Sequence, residues 1–517
     1  MPSSRETPLT PIFFLDRAAD VFAHRTAIRD GTRHFTYGEF GERAHRLAGL
    51  LCRAGIQLGD RVAALCVNSH VMLELHNGAP MAGAVLVPMN IRLSVAEMVP
   101  IVENSGARLL IATQELAAAA HSLAERTGIR LIVAGDTSSE YEQLLGAAPV
   151  EPAAPIDELT LISINYTSGS TGRPKGVMCT HRGAYLQALA MAYHAGLGLD
   201  SAYLWTLPMF HCNGWCFTWA VTAAGAVHIC RREIDPSTIW PELCGGDVTH
   251  LCAAPTVLTM LAEAADERPG RKPSRAIRVF TGGAPPTPPL LARLTRLNLE
   301  VTHLYGSTET YGPAVINQWQ PDWSDEPDAE RARLNARQGI GNVVTQSVRI
   351  VDAEGRDVPA DGATLGEIVI RGNNVTPGYY GDEEATRAAH FGEWFRTGDL
   401  GVRFPDGYIE LRDRAKDIII TGGENVASVE VERALADHPS VLEAAVVGRA
   451  DDVWGEIPVA FVALKAGARA TESELIDFVR TRIAHFKAPK QIRFEELPKT
   501  STGKIQKHLL RERLAAP

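Results

Sequence analysis

Tyr166-Thr167-Ser168-Gly169-Ser170-Thr171-Gly172-Arg173-Pro174-Lys175-Gly176-Val177 decides how this chain is read. The stretch follows the apolar run Leu161-Ile162-Ser163-Ile164 and crowds hydroxyls, glycines and one lysine into a single turn. Glycine lets backbone N–H groups come close to an anion, the hydroxyls add donors, and Lys175 adds positive charge. The combination suits phosphates. It departs from the usual P-loop, because Lys175 is preceded by Pro174 and followed by Gly176 rather than Ser or Thr. A flexible Ser/Gly linker would share the composition, but it has no use for a lysine set between proline and glycine.

Outward from this loop, short apolar runs alternate with helical patterns. Before it, Arg61 to Val67, Ala84 to Val87, Arg108 to Ile111 and Arg130 to Val133 read as buried strands, with a capping-box helix start at Ser94-Val95-Ala96-Glu97. Pro152 to Asp157 forms a short Pro/Ala connector. After the loop the alternation returns from Ala202 to Leu304, with strands at Val248 to Cys252, Ile277 to Phe280 and Glu300 to Leu304. Such alternation implies βαβ units and parallel sheets. Asn317 to Gln338 reads as an irregular excursion, and beyond Gly339 short strands with turn signals predict a β-rich subdomain. The charged stretch Leu411 to Asp417 marks a boundary, followed by strands at Val441 to Val447 and Val459 to Leu464 and a second capping box at Thr471-Glu472-Ser473-Glu474. The expected fold is α/β: a large N-terminal domain (1–412) of two stacked αβ subdomains plus a β-rich subdomain, then a small α+β C-terminal domain (413–517).

The 517 residues exceed the roughly 250–300 at which one core stops growing, which agrees with several units. A net charge of −10 argues against nucleic acid and gives no reason to expect an anionic membrane surface. Met1 to Asp20 lacks a charged-then-apolar leader pattern and no run is long enough for a membrane span, so a cytoplasmic protein is expected. The eight cysteines are scattered singly; Cys212 and Cys216 lack the paired spacing of a zinc centre and read as reduced thiols.

Further stretches carry chemistry. Pro208-Met209-Phe210-His211-Cys212-Asn213-Gly214-Trp215 ends an apolar run in a polar, aromatic turn; His211 taken alone reads sooner as a core histidine than as a site residue. Gly282-Gly283-Ala284-Pro285 is either a tight strand-to-helix turn or backbone passing something flat. In Tyr305-Gly306-Ser307-Thr308-Glu309-Thr310, Tyr305 can stack on a base, Thr308 can donate to a phosphate and Glu309 can hold Mg2+. Asp399 sits at a turn within Trp394 to Leu400, and Pro498-Lys499-Thr500-Ser501-Thr502-Gly503-Lys504-Ile505 closes the series.

In this order the stretches resemble the signatures of the adenylate-forming superfamily of acyl-CoA synthetases, free-standing adenylation domains and luciferases, over nearly the whole chain from about Thr36 to Arg511. Ser170 stands where Thr is commoner, a departure that keeps a hydroxyl. The resemblance implies an enzyme that activates a small carboxylic acid with ATP and Mg2+ to an acyl-adenylate and passes it to CoA. It implies nucleotide contacts from Thr167, Ser168, Gly169, Ser170, Thr171 and Gly172, from Gly283, Ala284 and Pro285, from Tyr305, Gly306 and Ser307, and from Asp399 on the ribose and Arg414. Lys175, Thr308 and Glu309 would act on the phosphates, with Glu309 and Thr167 on the metal. His211, Trp215, Phe217 and Gly306 would border the acid pocket, the bulk of Trp215 favouring a short acid. Lys504 would bridge the acid and the α-phosphate. Lys416 would be the hinge of a mobile C-terminal domain, whose Gly422 and Gly423 open a path for pantetheine. Alternatives remain: loading of a carrier protein, or recruitment to nitrite activation or amide formation. The assembly, monomer or homodimer, is left open.

Overall fold

The computed structural model describes residues 7–168, 174–283, 286–421, 424–451, 453–500 and 505–515. The apolar runs form strands of two large sheets. The six-stranded sheet runs Arg130–Ala134, Leu109–Thr113, Arg61–Leu65, Val85–Pro88, Leu161–Ser168, Pro174–Thr180. All neighbours are parallel except the last strand, which folds back antiparallel on Leu161–Ser168. The nine-stranded sheet runs Ile340–Gly341, Gly312–Ile316, Leu299–Ser307, Ile277–Thr281, His250–Cys252, Ala202–Trp205, Val227–Cys230, Thr26–Asp30, Arg33–Thr36, parallel in its centre and antiparallel at both ends. Thr26–Thr36 therefore completes a sheet built mostly from residues about two hundred positions later, which strand patterning does not reveal.

A continuous apolar core joins the two sheets through the helices Tyr37–Arg53, His70–Met81 and Phe217–Ala223. A buried ionic network sits there as well. Asp30 accepts from the ring of His70 (2.6 Å) and from Arg232 (2.8 Å), while Glu142 accepts from Arg43 (2.9 Å) and Arg33 (2.8 Å) and stands 3.7 Å from His70. Glu74 takes Arg43 (2.5 Å) and the Tyr141 hydroxyl (2.6 Å). Burial would lower the His70 pKa, but the bond to Asp30 and the nearby Glu142 carboxylate outweigh it and raise it. Asp30 and Glu142, despite burial, are held well below the usual carboxylate range by His70 and by Arg232 or Arg43.

A third, antiparallel sheet combines Ser347–Val351, Gly366–Arg371, Trp394–Arg403, His390–Phe391 and Ile409–Arg414. The last unit is a five-stranded sheet whose long hairpin, Val441–Asp451 with Gly455–Leu464, alternates its apolar residues between two faces. Val446, Ala460 and Val462 pack under the helices Ser428–Ala436 and Glu472–Arg480, and Val447 and Phe461 pack on Leu510 of Lys507–Ala515. Both capping boxes form: Glu97 accepts from Ser94 N at 2.8 Å, and Glu474 N donates to Thr471 at 3.3 Å. The expected irregular excursion holds a turn at Pro321–Asp325 and a helix, Asp328–Asn335. Acidic residues in its first turn complement the helix dipole, a local signal that the Trp- and Pro-rich flank obscured. Among the described residues no helix is long and apolar enough to cross a membrane.

Candidate active site

In open α/β sheets ligands bind beyond the carboxyl ends of the parallel strands. The phosphate-loop stretch, the residues from Tyr305 to Glu309, Gly283 and the turn at Cys212 to Trp215 follow such strand ends in the two large sheets, while Asp399 and Arg414 come from the third. The phosphate-loop stretch is a hairpin in which Thr167 pairs with Lys175 and Ser168 with Pro174. Directly opposed residues share a face, so the Thr167 hydroxyl and the Lys175 stem flank the mouth of the turn. Gly169, Ser170, Thr171 and Gly172 lie outside the described residues, as do Ala284, Pro285, Gly422, Gly423 and Lys504.

Leu299–Ser307 ends in the turn Thr308–Thr310 and returns as Gly312–Ile316. Gly306 is obligatory there, since a Cβ would stand 2.1 Å from the Gly312 carbonyl oxygen. Ser307 N donates to Thr310 Oγ1 at 2.9 Å and fixes the turn. The Tyr305 hydroxyl donates to Asp399 Oδ2 at 2.8 Å, and Arg414 Nε lies 3.4 Å from Asp399 Oδ1. Asp399 and Arg414 face each other across the pair Trp394–Arg403 and Ile409–Arg414. Burial, then the neighbouring Asp399 carboxylate, pushes the Tyr305 phenol well up. Three expected nucleotide contacts thus form one cluster.

Glu309 belongs to a second cluster. Its Oε1 accepts from the Tyr379 hydroxyl at 2.9 Å, and the Tyr379 ring carries Lys175 Nζ at 4.9 Å from its centroid. Tyr379 is held by backbone: Thr376 N donates to the Glu309 carbonyl (2.7 Å), Tyr380 N to the Gly176 carbonyl (2.7 Å), and Val177 bridges Tyr379. Sequence reading missed this tyrosine. The only local signal is Pro377-Gly378 ahead of it, where a Cβ on Gly378 would meet Thr386 at 2.4 Å.

Residues Cys212, Asn213, Gly214, Trp215 and Cys216 all have left-handed backbone, with φ of 43°, 45°, 60°, 52° and 63°. Five such residues in succession are costly for L-amino acids. Asn213 anchors them. Its side-chain oxygen accepts from Asn165 (2.7 Å), Ser163 (2.8 Å) and Tyr311 (3.2 Å), tying the phosphate hairpin's strand to the nine-stranded sheet. Trp215 is thereby set against Gly282 and Gly312: a Cβ on the first would stand 3.2 Å from the indole, on the second 3.3 Å from Trp215 Cα. Cys212 Sγ donates to Thr308 Oγ1 at 3.2 Å, and burial pushes that thiol up to about 12, so it stays protonated. His211 precedes the turn and is half-buried. Phe217 is fully buried, stacked on Tyr203 at 4.9 Å and beside Phe280 at 5.9 Å. Gly283 is exposed with φ +85°.

Lys416 is exposed in the turn Ala415–Asp417. Its flanks are tied down: Asp417 takes Arg511 at 2.5 Å, and Asp413 accepts from Ser428 N at the start of the helix Ser428–Ala436. That helix also reaches the preceding strand through Arg433 and Glu410 (2.6 Å).

Charged, hydroxyl and aromatic side chains gathered in the clusters Lys175–Tyr379–Glu309 and Tyr305–Asp399–Arg414 suit a nucleotide and the class of adenylate-forming enzymes. Comparison with known proteins agrees: residues 15–380 match the AMP-binding enzyme family and residues 430–504 match the AMP-binding enzyme C-terminal domain. The chain belongs to that family. An acetate–CoA ligase of Humulus lupulus is 41% identical over 98% of this chain and 94% of the relative, and a peroxisomal acetate/butyrate–CoA ligase of Arabidopsis thaliana is 40% identical over the same shares. The solved o-succinylbenzoate CoA synthetase of Bacillus subtilis, in complex with its acyl-adenylate intermediate, superposes with a TM-score of 0.84 at 27% identity, covering 99% of this chain and 98% of that one.

Proposed function

We propose that the protein is an AMP-forming acid–CoA ligase for a small carboxylic acid. The carrying observation is the convergence of Thr167, Lys175 and Glu309 on one side and Tyr305, Asp399 and Arg414 on the other. Asp399 offers two acceptor oxygens on one group, suited to both ribose hydroxyls, and Tyr305 offers a ring face to the base. Lys175 draws the outer phosphates, and Thr308 donates to the α-phosphate. The acid enters beside His211, its far end limited by Trp215. Its carboxylate attacks the α-phosphorus in line, the O–P bond of the acyl-adenylate forms and pyrophosphate leaves. The part of the cation that lowers the repulsion between the two anions falls to Lys504 in this reading. The C-terminal domain (413–517) then turns about Lys416 relative to residues 1–412, withdrawing Lys504 and bringing Gly422 and Gly423 to the adenylate. The CoA thiolate displaces AMP, forming the thioester.

Among the described residues no group of three potential ligands gathers. Mg2+ needs none, since it is commonly held by one or two carboxylates and the substrate's phosphates. Glu309 and Thr167 supply the hard oxygens that fit it, and Glu309 Oε2 takes no hydrogen bond from a described residue. When bound, the ion neutralises charge on the leaving pyrophosphate.

The test is mass spectrometry of reactions with ATP, Mg2+, CoA and a panel of acids. A CoA thioester of a short acid, with AMP, is expected. AMP without a thioester would refute the CoA assignment and direct the search to a carrier protein or an amine.

A further inference from the structure

Lys175 and Glu309 carry opposite charge on neighbouring elements, yet they form no ion pair. Tyr379 stands between them. Its ring face takes the ammonium and its hydroxyl takes the carboxylate, so each charge meets one end of the same side chain. We infer that Tyr379 is a positioning residue that keeps Lys175 and Glu309 from neutralising one another. Without a spacer, an ammonium and a carboxylate within reach close into a salt bridge that a nucleotide must break before it binds. A cation–π contact is weak enough to be surrendered to a phosphate. The phenol donates to Glu309 Oε1 at 2.9 Å and, among the described residues, leaves Oε2 open. The backbone that carries the ring is fixed, because Tyr379 N donates to Thr386 Oγ1 at 2.9 Å and the flanking residues are pinned to the strand Pro174–Thr180.

The inference rests on the nucleotide reading of Lys175 and Glu309, and the two are separable by experiment. The measurement is calorimetric binding of ATP in EDTA, then with Mg2+, to the full chain and its variants. Tyr379→Phe keeps the ring, so metal-free ATP should bind within about twofold of wild type, while the gain on adding Mg2+ should fall roughly three- to tenfold with the lost hydrogen bond. Tyr379→Leu should weaken metal-free ATP about tenfold as Lys175 pairs with Glu309. The decisive quantity is the coupling. Glu309→Gln should improve metal-free binding at least about fivefold more in the Tyr379→Leu background than in wild type, since there it releases the lysine. Equal effects in both backgrounds would overturn the spacer, as would a Phe variant whose Mg2+ gain is unchanged, a readout that stands even where the Leu variant does not fold. Lys175→Ala separates the two readings. If it leaves ATP affinity unaltered, the nucleotide reading fails and takes the spacer with it; if it weakens binding but the coupling is absent, only the spacer fails.

Discussion

Asn213→Ala tests whether the left-handed turn depends on its buried anchor. The wild-type side-chain oxygen accepts three buried donors, from Asn165, Ser163 and Tyr311. Two of them have a fallback: Asn165 Nδ2 lies 3.1 Å from Ser163 Oγ, and Tyr311 OH lies 3.2 Å from the same atom. The Ser163 hydroxyl would then accept twice and lose the acceptor for its own proton. One unsatisfied buried donor costs about 1–3 kcal/mol. Alanine also tolerates φ 45° less well than asparagine, which adds about 1 kcal/mol. The expected loss is about 2–4 kcal/mol, read as a lowered urea midpoint at unchanged slope. Asn213→Gly removes the same acceptor but adopts left-handed backbone freely. It should recover about 1 kcal/mol relative to the alanine variant. The acid pocket should loosen too, so kcat/KM for the acid should fall more than ATP affinity does. An alanine variant as stable as wild type, or a glycine variant less stable than the alanine one, would refute the account.

Lys504→Ala should slow pyrophosphate release about 10²-fold while sparing CoA transfer from supplied acyl-adenylate; equal loss in both half-reactions sinks the assignment. Trp215→Leu should shift preference toward longer acids, each methylene gained being worth about 1–3 kcal/mol in kcat/KM; an unchanged chain-length profile would place the indole outside the acid's path. Stability should also follow the Asp30–His70–Glu142 network, whose neighbours are Arg33, Arg43, Glu74 and Arg232. The raised His70 contributes fully below its unfolded pKa of about 6.5 and loses that contribution as pH rises through its folded value. The depressed Asp30 and Glu142 contribute above about pH 4 and lose it on acidification. His70→Gln should therefore abolish this alkaline decline in urea midpoint, and a decline parallel to wild type as pH rises above about 6.5 would exclude His70 as its source.

The family of this chain was legible because its short stretches hold their signatures locally. Glycines, hydroxyls and Lys175 occur within twelve residues, Tyr305 and Glu309 within five, and a parallel α/β architecture follows from apolar runs alternating with helices. What escaped acts through partners far along the chain. Tyr379 matters because residues 376–380 zip onto the strand Pro174–Thr180 and the Glu309 turn, and no periodicity encodes that register. Thr26–Thr36 looks like an N-terminal preliminary until Val227–Cys230 appears beside it.

Asn213 shows the same limit from the energetic side. Asn-Gly does advertise left-handed backbone, but not that Cys212, Trp215 and Cys216 would follow it there. Each non-glycine residue in that conformation costs about 1–2 kcal/mol. The turn persists because the Asn213 oxygen gathers three buried donors from two sheets, and because the indole it projects fills the space left by two glycines. Neither compensation is local. The strain therefore sits at the turn proposed to wall the acid pocket, where a side chain added at Gly282 or Gly312 would press on Trp215.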